Sequence, residues 1–239
     1  MSPKPKHNKS LLPPDIEAAV FFMEDQLMFC QREHGDSLKP LALKTLRAAL
    51  SNVALDSGWV PSGVVRCGES AQGAWTVLWI PPTRHTLILV NDKWRKEGGR
   101  DWRIEAPLPG LVLCGHGQRY SVFATDDADF SPQARALHAP LPNVHPDGAV
   151  CWGSNRPPDA RPGQMPAAWQ LFMNSPFNGD LSQGKSQSSP DDVRDLLVQL
   201  SLQSALAYPL DDLKPHGQST ITQCLRPILS PGDHDDMDL

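Results

Sequence analysis

Four short runs of β-branched and aromatic residues constrain the fold of this chain most: Ala74–Ile80, Thr86–Val90, Leu111–Cys114 and Tyr120–Ala124. Their composition suits a pleated, half-buried surface. Pro81-Pro82-Thr83-Arg84 separates the first two, and prolines cannot donate to a sheet ladder, so this link cannot continue a central strand. Gly115-His116-Gly117-Gln118 separates the last two, and Lys93 to Arg103 reads as a charged connection with room for an insertion. Successive strands with short links predict an antiparallel four-strand meander.

Helical signals flank the strands. From Leu41 to Leu55, Leu43, Leu46, Leu50 and Val53 recur at three- and four-residue steps among alanines, and Gly58 follows. Pro166 to Met173 reads as a short helix. Pro190-Asp191-Asp192-Val193 opens another, with acids in its first turn and Val193, Leu196, Leu197, Leu200 and Leu202 on its apolar side. Between Glu17 and Glu33, the bursts AAVFFM and LMFC flank Glu24-Asp25-Gln26. One helix or a hairpin fits; the short bursts and polar separator favour the hairpin. Helices beside an antiparallel meander make the expected class α+β.

The 239 residues suit one large domain, and 40% hydrophobic content supports a packed core. We take residues 15–230 as that domain. Residues 1–14 form a flexible N-terminal tail, with Lys4, Lys6 and Lys9, and residues 231–239 an acidic tail, with Asp233, Asp235, Asp236 and Asp238. A net charge of −5 argues against dedicated nucleic-acid binding. No run of 18 apolar residues occurs, and the start MSPKPKHNKSLLPPD has no apolar centre, so neither a membrane span nor secretion is expected. Five widely spaced cysteines fit reduced thiols, and a cytoplasmic protein, better than a disulfide framework.

Residues 125–168 lose periodicity and are rich in Pro, Gly, Asp and Asn, and a structureless stretch of that length is usually functional or disordered. Within it, Leu141-Pro142-Asn143-Val144-His145-Pro146-Asp147-Gly148-Ala149-Val150-Cys151-Trp152-Gly153 places a cysteine after a hairpin-like Asp147-Gly148 turn and before another glycine. A thiol on such irregular backbone is accessible, and its ionised fraction is a nucleophile near neutral pH.

Asn143 lies eight positions before Cys151, preceded by a proline, with Gly148-x-Val150 before the thiol. This resembles the active-site stretch of ubiquitin-conjugating enzymes, although Leu141 stands where that family has His. It is more similar still to a bacterial branch, prokaryotic family D or protein B of the PRTRC system. That branch's flap matches Asn143 to Gly153, and its downstream set matches Trp169, Phe172, Ser175 and Phe177, with further likeness through Phe177 to Leu181 and Gly184-Lys185-Ser186. The similarity spans roughly residues 16–205. It implies a ubiquitin-conjugating-enzyme-like fold and a bacterial transferase serving a plasmid-linked or antiphage operon. Such a protein accepts a ubiquitin-like protein from a ThiF-type activating enzyme as a thioester on Cys151. It then passes the acyl chain to a protein substrate or other amine, without a cofactor or metal of its own. A noncatalytic scaffold of the same fold, binding a ubiquitin-like protein, is the alternative.

In that chemistry Cys151 carries the acyl group, the Asn143 amide serves the oxyanion or holds the flap, and Asp147 or His145 is a candidate base. Asp147 also fits as a plain turn residue, and His145 as a solvated loop histidine. Three other constellations carry less. Cys114, His116, His138, His145 and Cys151 lack the paired spacing of zinc sites. A cysteine hydrolase using His138 or His145 lacks any hallmark segment. GDLSQGKS (179–186) satisfies the bare phosphate-loop pattern, but neither a strand before it nor a helix after it is legible. Trp152, next to the thiol, is placed to shield a thioester from water.

Overall fold

The computed structural model describes residues 11–23, 26–32, 37–46, 59–70, 72–92 and 100–229. The chain divides into two units, residues 1–58 and 59–239, a boundary inside the stretch expected to be one domain.

In the first unit the apolar bursts form a hairpin, not a helix. Strands β1 (Ala18–Met23) and β2 (Gln26–Gln31) pair antiparallel from Ala18 opposite Gln31 to Met23 opposite Gln26. Strand β3 (Leu38–Pro40) adds to the far edge of β2. The Arg32 guanidinium donates to the carbonyls of Leu12, Pro13 and Ile16, tying down the chain that leads into β1. Residues 43–46 are helical (α1), as the leucine spacing predicts. The rest of that run, 47–55, and the charged segments 1–10 and 231–239 lie outside the described residues.

The second unit is sheet-rich with few helices. Six strands form one antiparallel sheet: β4 (Val64–Ser70), β5 (Gly73–Ile80), β8 (Gly110–His116), β9 (Arg119–Thr125), β10 (Arg135–His138) and β12 (Pro215–Thr220), in spatial order β12-β10-β9-β8-β5-β4. Strands β6 (Thr83–Leu89) and β7 (Trp102–Leu108) form a second sheet, to which β11 (Pro176–Phe177) adds in parallel. The expected meander differs here, because the run at 86–90 does not lie between 74–80 and 111–114 in the main sheet.

Prolines explain the departure. Ile80 pairs with Leu111 in one sheet and Thr83 with Leu108 in the other, so the register runs on unshifted, three residues forward against three back. β5–β6 and β7–β8 are therefore the two arms of one long hairpin, interrupted where Pro81-Pro82 face Pro109-Gly110. Three of those four residues lack an N–H, the ladder breaks on both arms at one level, and the outer half leaves as its own sheet. The partner strand β7 hides in WRIEAPL, next to the charged connection read from the sequence.

Strand β8 is buried along its whole length, because both faces of the main sheet are covered. Leu111, Leu113, Val122 and Leu78 face the larger core with α2 (Met165–Met173) and α3 (Val193–Leu202), which contribute Met165, Phe172, Leu196, Leu197 and Leu200. The alternate residues Val77, Val112, Cys114 and Phe123 pack on the other face against Ile221, Leu225 and Leu229 of α4 (Ile221–Leu229). Both predicted helices near 166 and 193 form. Asp192 caps α3 by accepting from the Arg194 N–H at 3.0 Å, which replaces an unmet helical acceptor. Leu202, expected on the apolar side of α3, is instead 82% exposed, because two residues past the buried Leu200 it lies about 200° round the helix, on the opposite face.

Candidate functional site

Beyond β10 the chain crosses the edge of the main sheet as a flap. β10 covers only the outer part of β9, at Phe123 and Ala124, and the flap takes over from there. The Val122 N–H donates to the Gly148 carbonyl (2.9 Å) and the Val150 N–H to the Tyr120 carbonyl (2.8 Å). The flap closes on itself through His145 N–H to Ala149 O and Gly148 N–H to His145 O. Cys151 is the next residue out. Its N–H donates to the Asn143 carbonyl at 2.8 Å, so the two residues eight apart are direct backbone neighbours.

Asn143 has φ = 58°, a left-handed conformation that asparagine tolerates better than most residues. Its side-chain amide donates to the Pro176 carbonyl at 3.0 Å, which fastens the flap to β11. Asn143 and the half-buried Cys151 line one cleft of about 300 Å³ with Trp152, Asn155, Ser175, Pro176, Asn178 and Asp180. Trp152 stands edge-on to Tyr120 and Phe172, with ring centroids 5.3 and 6.0 Å away, and its indole N–H is buried without a partner.

Asp147 and His145 are exposed on the flap and do not line this cleft. One Asp147 carboxylate oxygen accepts from the Ala149 N–H at 2.9 Å, the turn role that Asp-Gly predicts. His138, on β10, also stays outside the cleft. It stacks edge-on against His216, and burial, with the charges of His216, Lys185 and Lys214, pushes its pKa down to about 4. Cys114 is fully buried in the α4-side core, and burial pushes its thiol up to about 12. His116 bonds Ser70 and the Ile228 carbonyl, and no three His, Cys, Asp or Glu side chains converge among the described residues.

The resemblance pointed to Ser175 and to Phe177–Leu181 without giving them a role, and the structure makes Ser175, Asn178 and Asp180 the opposite wall. Asn155 donates to Ser175 Oγ (2.9 Å), which donates to the Leu171 carbonyl at the end of α2 (2.7 Å). Asn178 donates to the Asp180 carboxylate at 2.8 Å, making Asp180 the acid on the cleft lining. The aperiodic, glycine-bearing run Ser175 to Asp180 was the available signal, but nothing local says it folds back against residue 151.

Lys185 was singled out by the phosphate-loop pattern and by the family likeness at Gly184-Lys185-Ser186, neither of which gave it a role here. It is 3% exposed, and its ammonium donates to the carbonyls of Leu141 and Val144, beneath the flap. Burial pushes its pKa down to about 7. A lysine spent on backbone carbonyls, in a loop that opens no helix until residue 193, is not a phosphate-loop lysine. Leu141, where the resemblance has His, is fully buried and supplies one of those carbonyls.

An antiparallel sheet backed by helices thus carries a cysteine and an asparagine at one cleft off its edge. The family model of prokaryotic E2 family D matches residues 42–216, and the chain belongs to that family. Neither curated proteins nor solved structures give a match. Family membership associates the chain with ubiquitin-like conjugation, and with the ubiquitin-like protein and activating enzyme such systems use in general. No helix among the described residues is long and apolar enough to cross a membrane.

Proposed function

We propose that the chain is a conjugating transferase that takes a ubiquitin-like protein onto Cys151 as a thioester, from a ThiF-type activating enzyme, and passes it to an amine. The observation that carries this reading is the pairing of a half-buried thiol with the Asn143 amide in one cleft, held by the Cys151 N–H to Asn143 O bond. Loading exchanges one thioester for another, so little driving force is needed and positioning dominates. In the second step the amine nitrogen attacks the thioester carbonyl, the C–N bond forms, the C–S bond breaks and Cys151 leaves as the thiol. The amine gives up its proton near the Asp180 carboxylate, which lines the same cleft as Cys151, whereas Asp147 and His145 point into solvent. The Asn143 amide, now on Pro176, sits within the flap that faces the developing oxyanion. One such donor is typically worth about 10²–10³ in rate.

The test mixes the full chain with an activating enzyme, ATP and the ubiquitin-like protein under study. A reductant-sensitive adduct that is absent from Cys151→Ala is expected. An adduct that persists in the alanine variant refutes the assignment of Cys151. A ubiquitin-like protein that binds without any adduct favours the scaffold instead.

A further inference from the structure

Asn143 is held from three directions. Its own carbonyl receives the Cys151 N–H, its amide reaches Pro176, and the carbonyls on either side of it, Leu141 and Val144, both accept from the Lys185 ammonium. Lys185 comes from a loop more than 40 residues downstream and is 3% exposed, on the inner side of the flap and off the lining of the cleft. It therefore touches neither the thiol nor an incoming amine. Two hydrogen bonds from one side-chain nitrogen bracket the Pro142-Asn143 pair, and fix where the left-handed turn at Asn143 places its side chain.

Taking the thioester reading as its basis, we propose that Lys185 is a positioning residue for aminolysis, acting through Asn143: it holds the flap so that the carboxamide stays registered with the Cys151 thioester. Loading by a small activated thioester, with a thiolate as nucleophile and a thiolate as leaving group, leans less on the flap than aminolysis, in which a weaker amine nucleophile relies on the positioned carboxamide. Loss of Lys185 thus separates the two steps. A lysine that merely filled the core would affect both through stability, and would not depend on Asn143.

The experiment loads the full chain at Cys151 with a fluorescent Gly-Gly peptide presented as its mercaptoethanesulfonate thioester, with Cys151→Ala as the control for other thiols. In that exchange the C–S bond to mercaptoethanesulfonate breaks, the bond to Cys151 forms and the small thiol departs with the proton. Free lysine is then added, and its amine releases Cys151 as above. Lysine aminolysis in Lys185→Met is expected to fall by about tenfold or more, since small displacements from reacting geometry can cost up to about 10² in rate. Loading stays within about twofold of the parent, and the double variant with Asn143→Ala is no slower than Asn143→Ala alone. Multiplicative losses in the double variant, or loading that falls in step with transfer, overturn the proposal. No loading of the parent at Cys151 refutes the thioester reading instead. Lys185→Gln serves if the methionine variant does not fold. If neither folds, amine acetylation of the parent decides: Lys185 stays unmodified while the exposed Lys39 and Lys44 react, and acetylated Lys185 with unchanged transfer overturns the proposal.

Discussion

Replacing Gly148 by alanine measures how tightly the flap is locked onto the sheet. Gly148 has φ = +89°, and a Cβ built there would stand 2.5 Å from Cε1 and 2.8 Å from Cζ of Phe123. Phe123 is 1% exposed, wedged in the α4-side core, so its ring has no room to retreat. The peptide cannot lift away freely either, since the Gly148 carbonyl accepts from the Val122 N–H of β9. An L-residue forced into a left-handed conformation costs about 1–2 kcal/mol, and one extra carbon in a closed core about 1–3 kcal/mol. Together these make about 2–5 kcal/mol. For a chain of this size each kcal/mol lowers Tm by about 2–4 °C. Urea unfolding followed by tryptophan fluorescence gives the free energy directly, and an unchanged m-value assigns the change to the folded state. An unfolding free energy within about 0.5 kcal/mol of the parent refutes the reasoning, because that is the scale of a surface substitution away from such features. It would mean that the flap stands off Phe123 and that its bonds to β9 are not the ones described.

Arg194 is 2% exposed and donates to both carboxylates of Asp192 and Asp92 and to the Val90 carbonyl, so Arg194→Met is expected to cost about 3–5 kcal/mol in chemical denaturation. Burial alone would raise the Asp192 and Asp92 carboxyls, but hydrogen bonds and charge from Arg194 outweigh it and hold both below the usual carboxylate range. Their folded-state values lie below the unfolded ones, so this stability is present above about pH 4 and is lost as pH falls through the folded values. The parent should show a steeper acid slope below about pH 4 than Arg194→Met, and parallel slopes contradict the pairing. Trp152→Ala opens the wall beside Cys151 and should speed hydrolysis of a loaded thioester. It costs less than the about 3–5 kcal/mol of a fully buried aromatic, because the ring is half-buried; equal hydrolysis rates remove the shielding role.

The local signals were legible where short-range chemistry fixes the backbone. Apolar spacing and first-turn acids placed the helix near 193, the polar break between two apolar bursts placed the first hairpin, and Asp-Gly placed the turn before Cys151. The nearness of Cys151 and Asn143 was likewise readable, because the flap that joins them is a local loop closed by hydrogen bonds over eight residues. What spacing could not show is which strands become neighbours. Pro81-Pro82 was visible as a break, but that it faces Pro109-Gly110 and turns one hairpin into two sheets depends on pairing between residues 27 to 29 positions apart.

By itself, then, the sequence determined many of the strand and helix segments and the turn before Cys151, all set by propensity, turn chemistry and short loops. Only the tertiary structure decided that Asp180 rather than Asp147 shares the cleft with Cys151, and that Lys185 braces the flap instead of facing a phosphate. Asp180, 29 positions past the thiol, reaches its cleft and Lys185, 34 past it, reaches the underside of the flap because β11 docks on β6 and the loop beyond returns beneath it. That return is driven by burial of Phe177 and of the α3 leucines in a shared core, an energy summed over many distant contacts that no local pattern encodes.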